Sequence, residues 1–316
     1  MYAGAKALFY GLSRSQLLKR LASKYGMAHD DSFARRFIAG ETVEEAIRAA
    51  RTLQSRGLLL TLDYLGESVR TMAEADAATR EYVRLIDVIV ASGIERNVSL
   101  KLTQLGVDID RATCVDNLRR ILEPAQRHGF FVRIDMENSR YTDVTLEVFE
   151  TLWQQEYRAI GIALQAYLRR TEADVRRMNE LGARVRLVKG AYKEPPTTAF
   201  AHKSEVDANF LVLMRLLLDG GTYPAIATHD EAILDATRAY ASDHGIGRER
   251  FEFQMLYGIR RDLQASLVAD GYHMRVYVPF GRQWFSYFMR RLGERPANVG
   301  FVIRGILHER SHTTGA

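Results

Sequence analysis

After Gly57 the sequence settles into a beat of short β-rich runs separated by helix-length segments, and this beat limits the fold more than any other feature. The runs are 58–64, 97–102, 130–135, 160–165, 184–189, 223–228, 251–255 and 274–278. Between them, 71–91, 111–128, 142–157, 171–181, 204–218, 231–244 and 260–269 carry helical apolar spacing. Strands that alternate with helices across short links must run parallel, joined by right-handed crossovers. Eight such strands within about 220 residues match the length of a closed (βα)8 barrel. A doubly wound open sheet is the alternative, but no Gly-x-Gly-x-x-Gly follows the first strand. Residues 1–56 read as two or three amphipathic helices, one beginning at Glu41-Thr42-Val43-Glu44-Glu45-Ala46. The expected organisation is α/β, with an N-terminal helical segment (1–56) packed on a (βα)8 barrel (57–316) as a single domain.

The strands have an unusual parity. Side chains alternate faces along a strand. One set reads Leu60/Leu62, Val98/Leu100/Leu102, Val132/Ile134, Ile162/Leu164, Val185/Leu187, Phe253/Met255 and Met274/Val276/Val278. The other reads Thr61/Asp63, Ser99/Lys101, Arg133/Asp135, Ala163/Gln165, Arg184/Arg186, Glu252/Gln254 and Arg275/Tyr277. The apolar set must face the helices, which leaves the polar set inside the barrel. Barrel interiors are ordinarily filled with Val, Ile and Leu, and buried polar groups need partners or water. A polar interior therefore implies mutual ion pairs, ligand contacts, or both. Lys101, Asp135, Gln165, Arg186, Gln254 and Tyr277 fall near the C-terminal strand ends, where barrel active sites form.

Other classes are excluded. The 44 basic residues are spread among 39 acidic ones, with no lysine run or interleaved aromatic patch, so nucleic acid is not an expected partner. Cys114, the one cysteine, rules out an internal disulfide or a cysteine-rich metal site and fits a reducing compartment. No His/Asp/Glu cluster has metal-ligand spacing, so no metal is expected. No apolar run approaches the roughly 20 residues of a membrane span, and no secretory leader is read. The expected location is cytoplasmic. The stripe Val299, Phe301, Val302, Ile303, Ile306 and Leu307 either packs on the barrel or meets the inner face of a membrane peripherally.

Near the C-terminus, Tyr287, Arg290, Arg291 and Glu294 share an arc about 100° wide on one helix, with Phe285, Phe288, Met289 and Leu292 opposite. Two guanidinium forks held side by side suit a carboxylate or phosphate, and Glu294 is spaced to fix either fork. A solvated face is the competing account of this segment. Lys101 and Lys189 are candidate Schiff-base lysines only if their pKa is depressed, which the nearby Asp63, Asp135 and Glu137 oppose. Gly190-Ala191-Tyr192 is a turn able to admit a phosphate, or a plain strand exit.

Several stretches in one order resemble the monofunctional proline dehydrogenases. They are Ser99-Leu100-Lys101-Leu102-Thr103, Arg133-Ile134-Asp135-Met136-Glu137, Gly161-Ile162-Ala163-Leu164-Gln165-Ala166-Tyr167 and Arg186-Leu187-Val188-Lys189-Gly190-Ala191-Tyr192. Ala227-Thr228-His229-Asp230, Phe253-Gln254-Met255-Leu256-Tyr257-Gly258, Arg275-Val276-Tyr277-Val278-Pro279 and the 287–294 helix continue the series. The resemblance implies a TIM-like barrel with helix eight over its mouth. It implies FAD-dependent oxidation of L-proline to Δ1-pyrroline-5-carboxylate, the first step of proline catabolism, with electrons passed to a membrane-borne quinone. Arg290, Arg291 and Lys101 would hold the carboxylate, Glu294 would order the arginines, and Tyr277 would pack on the ring and bond to Asp135. Leu256 and Tyr287 would line the substrate. Arg186 and Gln165 would meet the flavin ring, Lys189, Gly190 and Ala191 the ribityl and pyrophosphate path, and Thr228 and His229 the pyrophosphate or adenosine. A flavin barrel with another substrate, such as a folate reductase, and a Schiff-base lysine aldolase or lyase are the rival readings.

Overall fold

A computed structural model describes Met27 and residues 32–294, with the side chains of Phe33 and of residues 292–294 outside that description. The earlier helices expected within 1–56, the Glu294 carboxylate and the 299–307 stripe therefore lie outside the described residues.

Helix α1 (Val43–Gln54) starts where Thr42 and Glu45 form a reciprocal capping box, satisfying two backbone donors that a helix start otherwise leaves open. Then come β1 (Leu59–Tyr64), α2 (Met72–Ser92), β2 (Asn97–Leu100), α3 (Arg111–Arg127), β3 (Phe131–Ile134), α4 (Thr142–Gln154), β4 (Ile160–Gln165) and α5 (Thr171–Leu181). The series continues with β5 (Arg184–Val188), α6 (Lys203–Gly220), β6 (Ala225–Ala227), α7 (Glu231–Asp243), β7 (Glu252–Leu256), α8 (Arg261–Ala269), β8 (His273–Phe280) and α9 (Trp284–Glu294). The eight strands are parallel neighbours in chain order and close into a barrel, β1 pairing β8 from Leu59 with Arg275 to Tyr64 with Phe280.

Most strand bounds lie within one residue of the sequence reading, and three strands differ by two residues at one end. β6 is shorter than 223–228, because Tyr223 takes φ +46° and Pro224 has no N–H to give. β2 ends at Leu100, where the chain tightens into a 3₁₀ turn over Leu102–Gln104. β8 runs on to Phe280, because β1 pairs with it from Arg275 through that residue.

The apolar strand parity packs outward against the helices in one continuous core, with Leu60, Leu62, Val98, Ile134, Leu187 and Val276 fully buried. Each such side chain contributes roughly 1.5–3 kcal/mol. A second cluster caps the C-terminal end of the barrel. There Trp284, Phe285, Tyr287, Phe288 and Met289 of α9 pack with Phe37, Ile38 and Leu65. The Phe288 ring lies 6.2 Å from Phe37 and 5.9 Å from Trp284, and Trp284 donates its indole N–H to Glu41 at 2.7 Å. Gly258 makes room for this covering segment: its φ is +74°, and a Cβ there would stand 1.7 Å from the Arg36 carbonyl oxygen.

Candidate active site

Much of the inward parity forms one hydrogen-bonded column; Arg184, at the start of β5, is instead exposed, and Arg133 donates to the Ile162 and Arg184 carbonyls. At the centre of the column is Arg186 on β5, which donates Nε to Gln254 Oε1 at 2.6 Å, Nη1 to Asp135 Oδ1 at 2.6 Å and Nη2 to Ser99 Oγ at 2.9 Å. Toward the floor, Gln254 donates its amide to Glu252. Glu252 in turn accepts a bidentate pair from Arg275 at 2.8 and 2.9 Å. Arg275 also reaches Glu95 and the Leu60 carbonyl. Period-two alternation places Glu252 with Gln254, and Arg275 with Tyr277, on the same inner face. The strands meet in the register that joins Gln254 to Arg275 and Leu256 to Tyr277.

Toward the mouth, Asp135 takes the Tyr277 hydroxyl at 2.7 Å and lies 3.6 Å from Lys101 Nζ. The same ammonium stands 3.3 Å from Asp63. Lys101 is 8% exposed. Burial works against its charge, but Asp63, Asp135 and Glu67 outweigh burial and hold its pKa above the ordinary lysine value. A Schiff-base lysine needs the opposite shift. Burial also lifts the Asp63 carboxyl, against the pull of Lys101. Glu137, just past β3, is pushed up by burial while accepting the Thr103 N–H and hydroxyl.

Helix α9 closes over this charge. Arg290 Nη1 donates to Glu67 Oε1 at 2.7 Å, Glu67 lying in the loop after β1. Burial opposes the Arg290 charge, and Glu67 more than restores it. Arg291 is half-buried, its guanidinium 5.1 Å from the Tyr287 ring centre. Tyr287 lies with both arginines, its ring under the Arg291 guanidinium and its hydroxyl close enough to Arg290 to act on its charge. It is nevertheless 6% exposed and belongs to the apolar cluster, so this side of the helix is not a solvated face. The partner of Arg290 in this structure is Glu67, a loop acid that the sequence reading did not single out. Asp63 and Gln254 were visible in the strand parity, whereas pairing across a loop has no periodic signal.

A second group of residues runs along the β4–β7 rim. Gln165 is 3% exposed and donates its amide to the Met136 and Glu137 carbonyls at 3.4 and 3.1 Å. Its Oε1 is buried with no hydrogen-bond partner among the described residues, an acceptor that suits a donor on a bound group. Lys189 pairs with Asp207 at 2.5 Å and Asp230 at 2.7 Å. Thr228 accepts the Asp230 N–H at 3.1 Å, and His229 Nε2 accepts the Leu256 N–H at 3.0 Å, so that nitrogen carries no proton. Gly190 has φ +106°, and a Cβ there would meet the Tyr167 ring at 2.2 Å. Tyr167 thus explains this glycine without a phosphate. Ala191 beside it is exposed. Buried Cys114, its thiol pushed up to about 12 by burial, is packing. Among the described residues no group of three or more His, Cys, Asp or Glu could hold a metal ion, and no helix is long and apolar enough to cross a membrane.

Comparison with known proteins agrees with this geometry. The proline dehydrogenase family model matches residues 46–304. Proline dehydrogenase 1 of Bacillus subtilis is 43% identical over 300 residues, covering 95% of this chain and 98% of its own. Proline dehydrogenase of Deinococcus radiodurans is 43% identical over 281 residues, covering 87% of this chain and 90% of its own. Among solved structures, proline utilization A (PutA) of Bdellovibrio bacteriovorus, inactivated by N-propargylglycine, superposes with a TM-score of 0.77 at 30% identity. That alignment covers 82% of this chain and 32% of the longer PutA chain. These relatives give no support to the folate-reductase or lysine-lyase alternatives.

Proposed function

The chain belongs to the proline dehydrogenase family, and from that premise we propose that the charged mouth beneath α9 holds L-proline for oxidation with FAD as its flavin. Membership makes the chain an oxidoreductase and flavoprotein of proline catabolism. The observation that supports the site assignment is that Lys101, on its two carboxylates, and Arg290 of the covering helix both act on Glu67, with Arg291 next to Arg290 on that helix. Proline is small, so charge-assisted bonds to its carboxylate supply much of its binding.

In this reading Lys101, Arg290 and Arg291 take the carboxylate, and Arg290 exchanges Glu67 for it. The Tyr277 ring, its hydroxyl held by Asp135, is one wall for the pyrrolidine, and Leu256 and Tyr287 add apolar surface. Glu294 would steady the arginines from the end of α9. Proline loses a hydride from Cδ and a proton from its nitrogen, giving Δ1-pyrroline-5-carboxylate. The bound flavin supplies the two-electron acceptor. Gln165, through its open Oε1, and Arg186 would hold the ring. Lys189, Gly190, Ala191, Thr228 and His229 would line the remainder of the FAD. With Lys189 already on two aspartates, its contribution there is a hydrogen bond more than a net charge. The electrons then pass to a quinone in a membrane.

The test is the visible spectrum of the purified protein before and after anaerobic L-proline. A yellow protein bleached by proline is expected. A colourless protein, or a flavin that proline leaves oxidised, would overturn the reading.

A further inference from the structure

The column of polar side chains has a fixed direction. Glu252 and Gln254 lie on one face of β7, and Gln254 lies between a group that only accepts and a group that only donates. The Glu252 carboxylate takes its amide N–H, and Arg186 Nε gives to its carbonyl at 2.6 Å. An amide placed this way cannot rotate without setting N–H against N–H and oxygen against oxygen. Glu252 is 2% exposed and doubly bonded to Arg275. Burial opposes its charge, but Arg275 holds its pKa below the usual carboxylate range, so the carboxylate stays an acceptor. Arg186 Nη1 then meets Asp135 at 2.6 Å, and the second oxygen of Asp135 takes the Tyr277 hydroxyl at 2.7 Å.

We propose that Glu252, at the floor of the barrel, is a positioning residue for the reaction at the mouth: it sets the amide of Gln254, which aims Arg186 and, through Asp135, Tyr277. This rests on the reading of the mouth as the proline site. The effect passes through hydrogen-bond polarity, which separates it from simple packing. In Glu252→Gln the neighbour of Gln254 can donate as well as accept, so the amide is free to turn and Arg186 Nε loses its acceptor. Gln254→Met cuts the relay one step higher and leaves the Glu252–Arg275 pair in place.

The experiment is a double-mutant cycle on the flavin-loaded protein, read by absorbance titration with tetrahydrofuran-2-carboxylate, in which oxygen replaces the ring nitrogen of proline. Thermal unfolding is measured in parallel. Each single variant is expected to bind the analogue about three- to tenfold more weakly, the scale of one hydrogen bond. The double variant should be no weaker than Gln254→Met alone, because both changes act on one relay. If the two effects multiply, or if Glu252→Gln lowers the melting temperature with analogue affinity unchanged, Glu252 is structural and the inference falls. Should Glu252→Gln not fold, because Arg275 is left buried, Glu252→Asp keeps the charge but withdraws it by one methylene. It goes through the same cycle with the same two outcomes. A wild-type protein that takes up flavin but does not bind the analogue overturns the mouth assignment itself, and this inference with it.

Discussion

The floor and the mouth of the barrel use the same kinds of charged side chain in different ways. At the floor, Arg275 and Glu252 stand on adjacent strands and meet in a bidentate pair. At the mouth, Arg290 reaches across from α9, beyond the last strand, to Glu67 in the loop after the first, through one bond of 2.7 Å. Strand register fixes the floor pair, so neither partner can leave without stranding a buried charge. The mouth pair joins segments that share no sheet hydrogen bonds, so it can open while the ladder stays closed. The contrast assigns rigidity to the floor and exchange with an incoming anion to the mouth.

The largest expected effect tests the rigid half. Arg275→Met leaves the Glu252 carboxylate without its bidentate partner and should cost about 4 kcal/mol of stability, measured by denaturant unfolding. A cost below about 1 kcal/mol would mean the floor is as adaptable as the mouth. Next, Phe288→Ala removes a ring packed against Phe37 and Trp284. It should cost about 3 kcal/mol and loosen α9, raising the proline KM. A normal melt would show that the apolar side of α9 is not its anchor. Lys101→Ala comes third. Losing one charged contact to the carboxylate, about 2 kcal/mol, should lower kcat/KM about 30-fold with flavin content nearly unchanged. Steady-state assay with a flavin-coupled dye decides it, and an unchanged kcat/KM would remove Lys101 from the site.

These two halves were not equally legible in the sequence. Period-two alternation exposed the column directly, since Arg186, Gln254 and Arg275 could not share an inner face unless they found one another there. It could not say that Arg186 would choose Ser99, Asp135 and Gln254 together, because that depends on strand register. The α9 arc grouped Tyr287 with Arg290 and Arg291, which the structure keeps together, but a helical wheel could not show that Tyr287 would also be buried in the apolar cluster. Glu67 carried no signal at all. A loop acid looks solvated until the fold brings a helix some 220 residues later onto it. The short β6 was misjudged for a local reason, the left-handed Tyr223 ahead of Pro224.

The smallest expected effect concerns Glu67 itself. Burial opposes its charge, but Arg290 outweighs burial and holds the carboxyl below the ordinary glutamate value, about 4.3. A carboxyl depressed on folding gives stability that is complete above its unfolded pKa and is lost as pH falls through the folded one. The wild-type advantage over Glu67→Gln should therefore be full at pH 7, about 1 kcal/mol for a pair that keeps some solvent contact. It should shrink as pH drops below about 4.3, which urea unfolding of both proteins across that range would follow. Ligand binding should move the other way. If proline's carboxylate takes Arg290 from Glu67, Glu67→Gln removes the competitor, and tetrahydrofuran-2-carboxylate should bind about fivefold more tightly at pH 7. An analogue that binds tenfold more weakly would show Glu67 to be a fixed support that aims Arg290. The mouth would then be as preassembled as the floor, and the contrast between the two ends of the barrel would be lost.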